Sequence, residues 1–576
     1  MKRILLVAAI SLGFVACTNT AQNDGPVYLN VDKPIEERVE DALSRMTLEE
    51  KIKMIHAQSK FSSPGVASLG IPEVWCTDGP HGIRPEVYWD DWDMASWTND
   101  SCTVFPALTA LAATWNENLS HLYGNSIGEE ARYRNKTVLL GPGVNICRFP
   151  LLGRNFEYMG EDPYLASRMV VPYVKGVQEK GVAACVKHFA INNNEANRVT
   201  TNVNVDDRTL HEIYLPAFKA AVQEGNAWAI MGSYNQYKGQ WNCHNDILLN
   251  DILKGRWGFD GVVISDWGGV HDTDQAIKYG LDLEMGTWTN GLDRSVSNAY
   301  DNYYMAKPYY DRIRSGKYGS DELDDKCRRL LRMIFRTTMS KDRPFGRFTC
   351  PEHYQAAYEI GAESIVLLKN EGLLPLQLEE GQKVLVVGEN ALKMMSVGGG
   401  SSSLKAQKEI VPIEGIRAEL EGKAEVIYER GYKGDITGVY NRVVTGQDLS
   451  ENRTEEELIA DAVEAAKKAD YVIFIGGLNK ADHQDSEGRD RLEYFLPYNQ
   501  HKVIEALAEA NEKLVVVNIS GSPVGMPWAD KVPAILQSWY LGSEAGTCLA
   551  DVLVGKVNPS GKLPFSYPKT YSDCPI

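Results

Sequence analysis

The chain has 576 residues, 44% of them apolar and 24% charged, and is far too long for a single hydrophobic core to be the default expectation. Its 60 Lys and Arg against 77 Asp and Glu give a formal charge of −17, and no basic run offsets it. That balance argues against a nucleic-acid partner.

At the start, Lys2 and Arg3 precede an apolar run from Ile4 to Ala16 that stops at Cys17, the layout of a bacterial export signal. The run is too short to cross a membrane in the mature protein. Phe14-Val15-Ala16-Cys17 resembles a lipobox, with phenylalanine where leucine is usual. The sequence therefore predicts a signal peptide over 1–17, a lipid anchor at Cys17 on a tether over 18–34, and a periplasmic or outer-membrane lipoprotein. The competing reading is plain cleavage near Ala16 and a soluble periplasmic protein. No other stretch approaches spanning length, so membrane contact is expected only through that anchor.

From about residue 65 to 290 a short apolar run, polar residues and a longer helical pattern alternate. The runs are VLLGPGV (138–144), GVAACVKHFA (181–190), WAIMGSYN (228–235), GVVISDW (261–267) and LDLEMG (281–286). Asp207 to Glu224 reads as an amphipathic helix, capped by Asp206 or Asp207 and bent by Pro216. Apolar runs without alternation are strands of a parallel sheet covered on both faces, and their repetition with helices predicts a (β/α)8-type TIM barrel over 35–340. In such barrels chemistry is built at the C-terminal strand ends, so Lys187, His188, Tyr234 and Asp266 are expected to converge.

KDRPFGRFTCPEHY marks a connector, assigned to 341–360, and AAYEIGAESIVLLKNEG after it looks helical. A second α/β pattern then fills 361–570, with strands expected at 383–388, 424–428, 470–476, 513–519 and 534–539, and helices at Thr454 to Lys468 and Asn499 to Asn511. The overall class is α/β, a barrel followed by an α/β sandwich. The Gly/Ser-rich segment SVGGGSSSLKA (396–406) reads either as a plain connector or as a loop at a domain cleft.

Several chemistries lack their motifs. HEIYL (211–215) is not HExxH, GSPVG (521–525) has proline at the nucleophile-elbow position, no GxxxxGK[ST] occurs, and VVGEN (386–390) lacks dinucleotide-loop glycine spacing. The nine cysteines beyond Cys17 show no CxxC spacing; most read as small buried hydrophobes, with Cys76 and Cys102 a pair able to oxidise on export. No metal or organic cofactor is expected. The acidic DDWD (90–93) reads as a solvated turn rather than a cation loop.

Carboxylates, cationic donors and aromatics at strand tips suit a neutral polyol, whose hydroxyls need bidentate acceptors and donors. Glycoside cleavage needs two carboxyl groups, and Asp266 beside Trp267 is the natural nucleophile. The alternative for Asp266 is a helix cap.

TDGPHGIR (77–84), LGPGVNICRFPLLGRNFEYMGEDPYLAS (140–167), CVKHFAINNNEANR (185–198), MGSYN (231–235), VVISDW (262–267), SIVLLKN (364–370) and NPSGKLPFSYP (558–568) jointly resemble glycoside hydrolase family 3, whose best-known members are β-glucosidases. The resemblance implies a retaining double displacement between the two domains, on an oligosaccharide or aryl β-glycoside. It implies Asp266 as nucleophile and Asp78, Arg154, Lys187, His188 and Tyr234 as the grip on the non-reducing sugar, with Trp267 offering an apolar face. NKADHQDSEGRDR (479–491) resembles the family's SEGxDR loop and points to Glu487 as acid/base, brought to Asp266 by domain closure. Competing readings are a structural Arg154 pair with Glu157 or Glu161, a core His188 and a merely solvated Glu487 loop. KHFAINNNE departs from the KHFPGHG of the N-acetylglucosaminidase branch. The activity expected is an exo-acting β-glucosidase; alternatives are a β-xylosidase, an α-L-arabinofuranosidase or a non-catalytic carbohydrate-binding protein. YWDDWDMASW (88–97) reads as a stacking loop for a further sugar or as exposed packing. A fibronectin-type III domain commonly follows GKLPFSYP in relatives.

Overall fold

The computed structural model describes residues 25–84, 101–286, 299–436 and 446–574, together with the backbone of 439–440 and 443–444. The expected signal peptide, Cys17, the DDWD turn and the 88–97 loop lie outside the described residues.

In the first domain, β1 (Ser62–Ser63), β2 (Val74–Thr77), β3 (Val138–Leu139), β4 (Ala183–Phe189), β5 (Ala229–Gly232) and β6 (Val262–Ile264) are neighbours in that order. All pairs are parallel except β1 with β2. Every residue of β4, β5 and β6 is buried, as unalternating apolar runs require. Beyond β6 the hydrogen bonding continues through isolated bridges, Ile264 with Leu283 and Glu284 with His56. The described residues thus form a curled half-barrel sheet rather than eight equivalent β/α units. LDLEMG forms no full strand because side chains take its ladder positions. The Asp282 carboxylate accepts from Val263 N at 2.8 Å, and Ser265 Oγ exchanges hydrogen bonds with the Met285 backbone.

The helix expected from Asp207 to Glu224 is capped by Asp206 but broken in the middle. Residues Leu210–Tyr214 form a π turn, and a regular helix restarts at Pro216. Proline has no N–H for the i−4 carbonyl, so the wider Leu215 N to Leu210 O bond takes over before it. Among the helices that brace the sheet are α1 (Glu117–Tyr133), α2 (Pro163–Gln178) and α3 (Asp321–Arg336). From α3, Arg329 donates to the carbonyls of Phe259 and Gly261, and Arg332 to that of Asp260. These bonds fix the entry to β6 and so the height at which Asp266 emerges.

The connector is shorter than expected, since α4 (Pro351–Ser364) already occupies its second half. The helical reading of AAYEIGAESIVLLKNEG holds only to Ser364. Its apolar, β-branched continuation is strand β7 (Val366–Asn370). With β8 (Gln382–Val387), β9 (Ala424–Glu429), β10 (Tyr471–Gly477), β11 (Leu514–Ile519) and β12 (Ala534–Gln537), it forms a second sheet in the order β7-β12-β11-β10-β8-β9. Only β7 runs antiparallel to its neighbour. Val384 and Val386 enter one core, Leu385 and Val387 another, which makes this a sheet buried on both faces. The first of these cores also contains Cys147, Leu152, Phe156 and Tyr158, so it crosses from one domain into the other. Cys76 and Cys102 are buried thiols.

Candidate active site

Asp78, Arg154, Lys187, His188, Tyr234, Trp267, Asp266 and Glu487, all singled out in the sequence, line one cavity of about 40 Å³ together with Met231 and Ser401. Asp78 follows β2 directly, while Tyr234 and Asp266 lie two residues beyond β5 and β6. Lys187 and His188 both reach the cavity from β4, where the pairing with β5 shifts register between Val186 and Phe189. Such an irregularity re-aims side chains that strict alternation would send to opposite faces. A larger cleft of about 600 Å³, lined by Cys147, Arg148, Phe565 and Tyr567 among others, contains none of these groups. Size alone would choose that cleft; convergent chemistry chooses the smaller cavity.

Asp266 is buried, with Oδ1 accepting from Trp267 N at 2.8 Å. Its Oδ2 has no hydrogen-bond partner, and His188 Nε2 stands 3.9 Å away. Burial pushes the carboxyl up to about 6, against the pull of Arg198 and Arg154. Burial, with Arg154 and Lys187 nearby, pushes His188 well below the ordinary imidazole range. The neighbour of Asp266 is therefore a neutral ring, not an ion-pair partner. Tyr234 donates to the Trp267 carbonyl at 2.9 Å, and Trp267 Nε1 to the Lys60 carbonyl at 2.6 Å, which sets the indole as a wall. Asp78 lies 3.3 Å from Arg84 Nη1 and 3.7 Å from Lys187 Nζ. Burial raises its pKa, partly offset by those two cations.

Glu487 enters from the second domain on the loop after β10. Its Oε1 accepts from Arg198 Nη1 at 2.8 Å and lies 3.4 Å from Arg154 Nη1; its Oε2 accepts from Ser401 N at 2.7 Å. Burial alone would raise this carboxyl, but Arg154 and Arg198 hold it well below the usual carboxylate range. Gly400, at φ +90°, lets Ser401 N approach: a Cβ there would stand 2.3 Å from Glu487 Cβ. SVGGGSSSLKA is thus a loop at the domain cleft.

The Glu487 loop is tied to the first domain by backbone bonds. Asp490 accepts from Gly153 N, Glu195 N and Ala196 N at 2.9 to 3.1 Å, Gly488 N donates to Glu195 Oε2 at 2.7 Å, and Arg491 N donates to the Leu151 carbonyl at 2.8 Å. The Glu487 loop is therefore bonded to the first domain across the boundary, with the shared core behind it. Arg154 lines the cavity and also makes its structural pair, Nε to Glu157 at 2.5 Å and Nη2 at 3.1 Å.

A buried Asp266 and a Glu487 that is 13% exposed line one cavity edged with guanidinium, ammonium, imidazole and phenol. Residues 47–333 match the glycosyl hydrolase family 3 N terminal domain, and residues 365–576 match the family's C-terminal domain. The chain belongs to glycosyl hydrolase family 3. It is 54% identical to a beta-glucosidase of Bacteroides ovatus, over the whole of this chain and 77% of that protein. It is 37% identical to an exo-alpha-(1->6)-L-arabinopyranosidase of Bifidobacterium longum, over 92% of this chain and 67% of that one. Among solved structures it resembles a beta-glucosidase from Kluyveromyces marxianus in complex with glucose, with a TM-score of 0.84 and 28% identity, over 93% of this chain and 80% of that one.

Within this family 3 site, residue-by-residue reading of the sequence passed over Arg198, Glu195, Ser401 and Met231. The signal for the first two was present in NNNEANR, an acid and a base three apart in a polar run directly after a strand tip. Arg198 lies 2.7 Å from Glu195 and stacks over the Tyr234 ring, 4.6 Å from its centre. Among the described residues, no three His, Cys, Asp or Glu side chains are grouped as metal ligands would be.

Proposed function

We propose that this protein is a retaining, exo-acting β-glucosidase, and the observation that carries the reading is the meeting of Asp266 and Glu487 in one cavity. We take the curled first sheet as a reduced (β/α) barrel presenting Asp266 from a C-terminal strand end; the bridges from β6 through Leu283 to His56 support this. Asp266 Oδ2, without a partner, is the group to attack the anomeric carbon. The C–O bond to the leaving group breaks as Glu487 passes its proton to that oxygen, leaving the sugar esterified to Asp266. Water then attacks the same carbon, gives its proton to Glu487 and releases the Asp266 carboxylate. Two inversions return the starting configuration. Asp78, Lys187 and His188 supply the acceptors and donors that grip the sugar hydroxyls, and Trp267 its apolar wall.

The resting charge pattern fits the first role and opposes the second. Asp266 is ionised above about pH 6, as a nucleophile must be. Glu487, held by Arg154 and Arg198, carries no proton to donate until that pairing loosens. The cavity has room for only a few waters, so an entering sugar must displace part of the cluster.

The test is a panel of nitrophenyl β-D-glucoside, β-D-xyloside, α-L-arabinopyranoside and α-L-arabinofuranoside, read with product stereochemistry. The β-glucoside is expected to be the best substrate, with β-glucose as first product. Asp266→Asn should abolish turnover, and Glu487→Gln should slow a disaccharide more than a dinitrophenyl glucoside, whose leaving group needs no proton. Equal losses on both substrates would remove Glu487 from the acid role; full activity of Asp266→Asn would remove the nucleophile. No cleavage of any glycoside would leave the carbohydrate-binding alternative.

A further inference from the structure

Glu195 stands behind the cavity rather than in it. It is 2% exposed, and its Oε2 accepts from Arg198 Nη1 and from Gly488 N, both at 2.7 Å. Its Oε1 is buried with no hydrogen-bond partner. The same Arg198 Nη1 that holds Glu195 also holds Glu487 Oε1, at 2.8 Å. A single guanidinium nitrogen therefore lies between two carboxyl groups, one inside the cavity and one outside. Arg154 Nη1 also lies 3.4 Å from Glu487 Oε1, and its Nε and Nη2 are committed to Glu157. Asp490, on the Glu487 loop, faces the Glu195 backbone N–H.

We propose that Glu195 is a positioning residue for the acid/base step: it takes Arg198 from Glu487 when Glu487 must carry a proton, and through Gly488 it fixes the backbone beside that residue. The proposal rests on the acid/base reading of Glu487. Its logic is that of two acids competing for one cation. At rest Glu487 is the carboxylate, held by both arginines, and Glu195 is the group that retains a proton: burial lifts it to about 7, Arg198 and Arg154 pull it down, and Glu487 pushes it up. When Glu195 releases that proton to solvent, Arg198 is balanced from outside the cavity and Glu487 is free to take a proton from solvent. The exchange balances through solvent, one proton leaving Glu195 and one arriving at Glu487. Oε2 already accepts two hydrogen bonds, so Oε1 is the oxygen on which a Glu195 proton would sit.

Glu195→Gln keeps the shape and the acceptor for Gly488 N but cannot ionise. Wild type, Glu195→Gln and Glu195→Asp are compared on a β-linked glucose disaccharide and on 2,4-dinitrophenyl β-glucoside, across pH, with melting temperatures as a check on folding. In Glu195→Gln the full charge of Arg198 falls on Glu487. The basic limb of kcat/KM for the disaccharide should move down by about one pH unit, with about a tenfold loss at neutral pH, against less than about threefold on the dinitrophenyl glucoside. Glu195→Asp retains the charge, so its basic limb should stay near that of wild type even where kcat falls. A Glu195→Gln basic limb at the wild-type position, or equal losses on both substrates, would reduce Glu195 to a structural contact. A limb that moves as far in Glu195→Asp as in Glu195→Gln would do the same. If wild type acts on both substrates while Glu487→Gln shows no leaving-group dependence, it is the reading of Glu487 that has failed, and the proposal falls with it.

Discussion

Asp266 is expected to cost the fold stability, and the cost has a defined pH signature. The carboxyl is buried, its Oδ2 lacks a hydrogen bond, and its nearest basic neighbour is a neutral imidazole. Its folded pKa of about 6 compares with about 3.9 for an unfolded aspartate. For an acid raised on folding, the unfolded state ionises first. The penalty is absent below about pH 4, grows up to about pH 6 and is then constant at about 3 kcal/mol. Asparagine mimics the protonated carboxyl and cannot ionise. Its Oδ1 still accepts from Trp267 N, and its amide group occupies the place of the unpartnered oxygen, 3.9 Å from His188 Nε2. Asp266→Asn should therefore be inactive and more stable than wild type by about 2–3 kcal/mol at pH 7, with the gain shrinking as pH falls toward 4.5. Urea unfolding of both proteins between pH 4.5 and 7.5 measures the difference. A variant less stable than wild type at neutral pH, or a difference that ignores pH, would refute the claim that the fold holds this carboxylate at a cost for its reactivity.

Asp490→Asn should loosen the latch that presents Glu487, because whichever way the amide turns, a backbone N–H of Gly153, Glu195 or Ala196 meets an NH2 instead of oxygen. The loss is about 1–3 kcal/mol at this partly exposed site, read as faster amide exchange in 150–156 and 483–492 and a lower kcat/KM on disaccharide; unchanged exchange would count against the latch. His353 lies between Glu130 and Glu129, each at 2.9 Å; burial lowers its pKa, but those two hydrogen-bonded carboxylates outweigh it and the net direction is up. Its contribution is whole below about pH 6.5 and lost as pH rises through the higher folded value, so thermal stability should decline over that window in wild type and not in His353→Gln.

The chemistry-bearing residues were legible because they stand where patterns break. GVVIS ends on an aspartate just past β6, while AACV runs into Lys187 and His188, which are still inside β4 near its C-terminal end; in both, polar residues close a fully buried apolar run. The second sheet was legible for the same reason, each run being short, apolar and bounded. Three features were not. LDLEMG reads as a strand from composition, but Asp282 and Ser265 use side chains where a ladder would use backbone. IVLLKN continues a helical period, and only its partner Ala534–Gln537, some 170 residues away, makes it a strand. Arg198 and Glu195 lie in a polar loop whose composition suits solvent; what removes them from solvent is the Glu487 loop of the other domain, and no local pattern carries that contact.

That last contact also changes what must move during turnover. A site shared by two domains invites a hinge, with the acid swung in after the sugar binds. Here Phe156 and Tyr158 of the first domain belong to the same core as Val384, Ile473 and Val517 of the second. A Cβ on Gly521 would stand 2.0 Å from Phe156 Cβ, an approach that leaves no room for sliding. The Glu487 loop is pinned at Gly488, Asp490 and Arg491 to backbone across the boundary. With the frame fixed, the adjustable part is the charge set itself: Arg154 and Arg198 among Glu157, Glu195, Glu487 and Asp266. On the proposed acid/base assignment, a sugar hydroxyl entering between Arg198 and Glu487 would do the work that a hinge does elsewhere, by separating an ion pair and returning to Glu487 the capacity to hold a proton. Substrate specificity then follows from which hydroxyls reach that pair, and a sugar that fills the cavity without parting Arg198 from Glu487 should bind and not react.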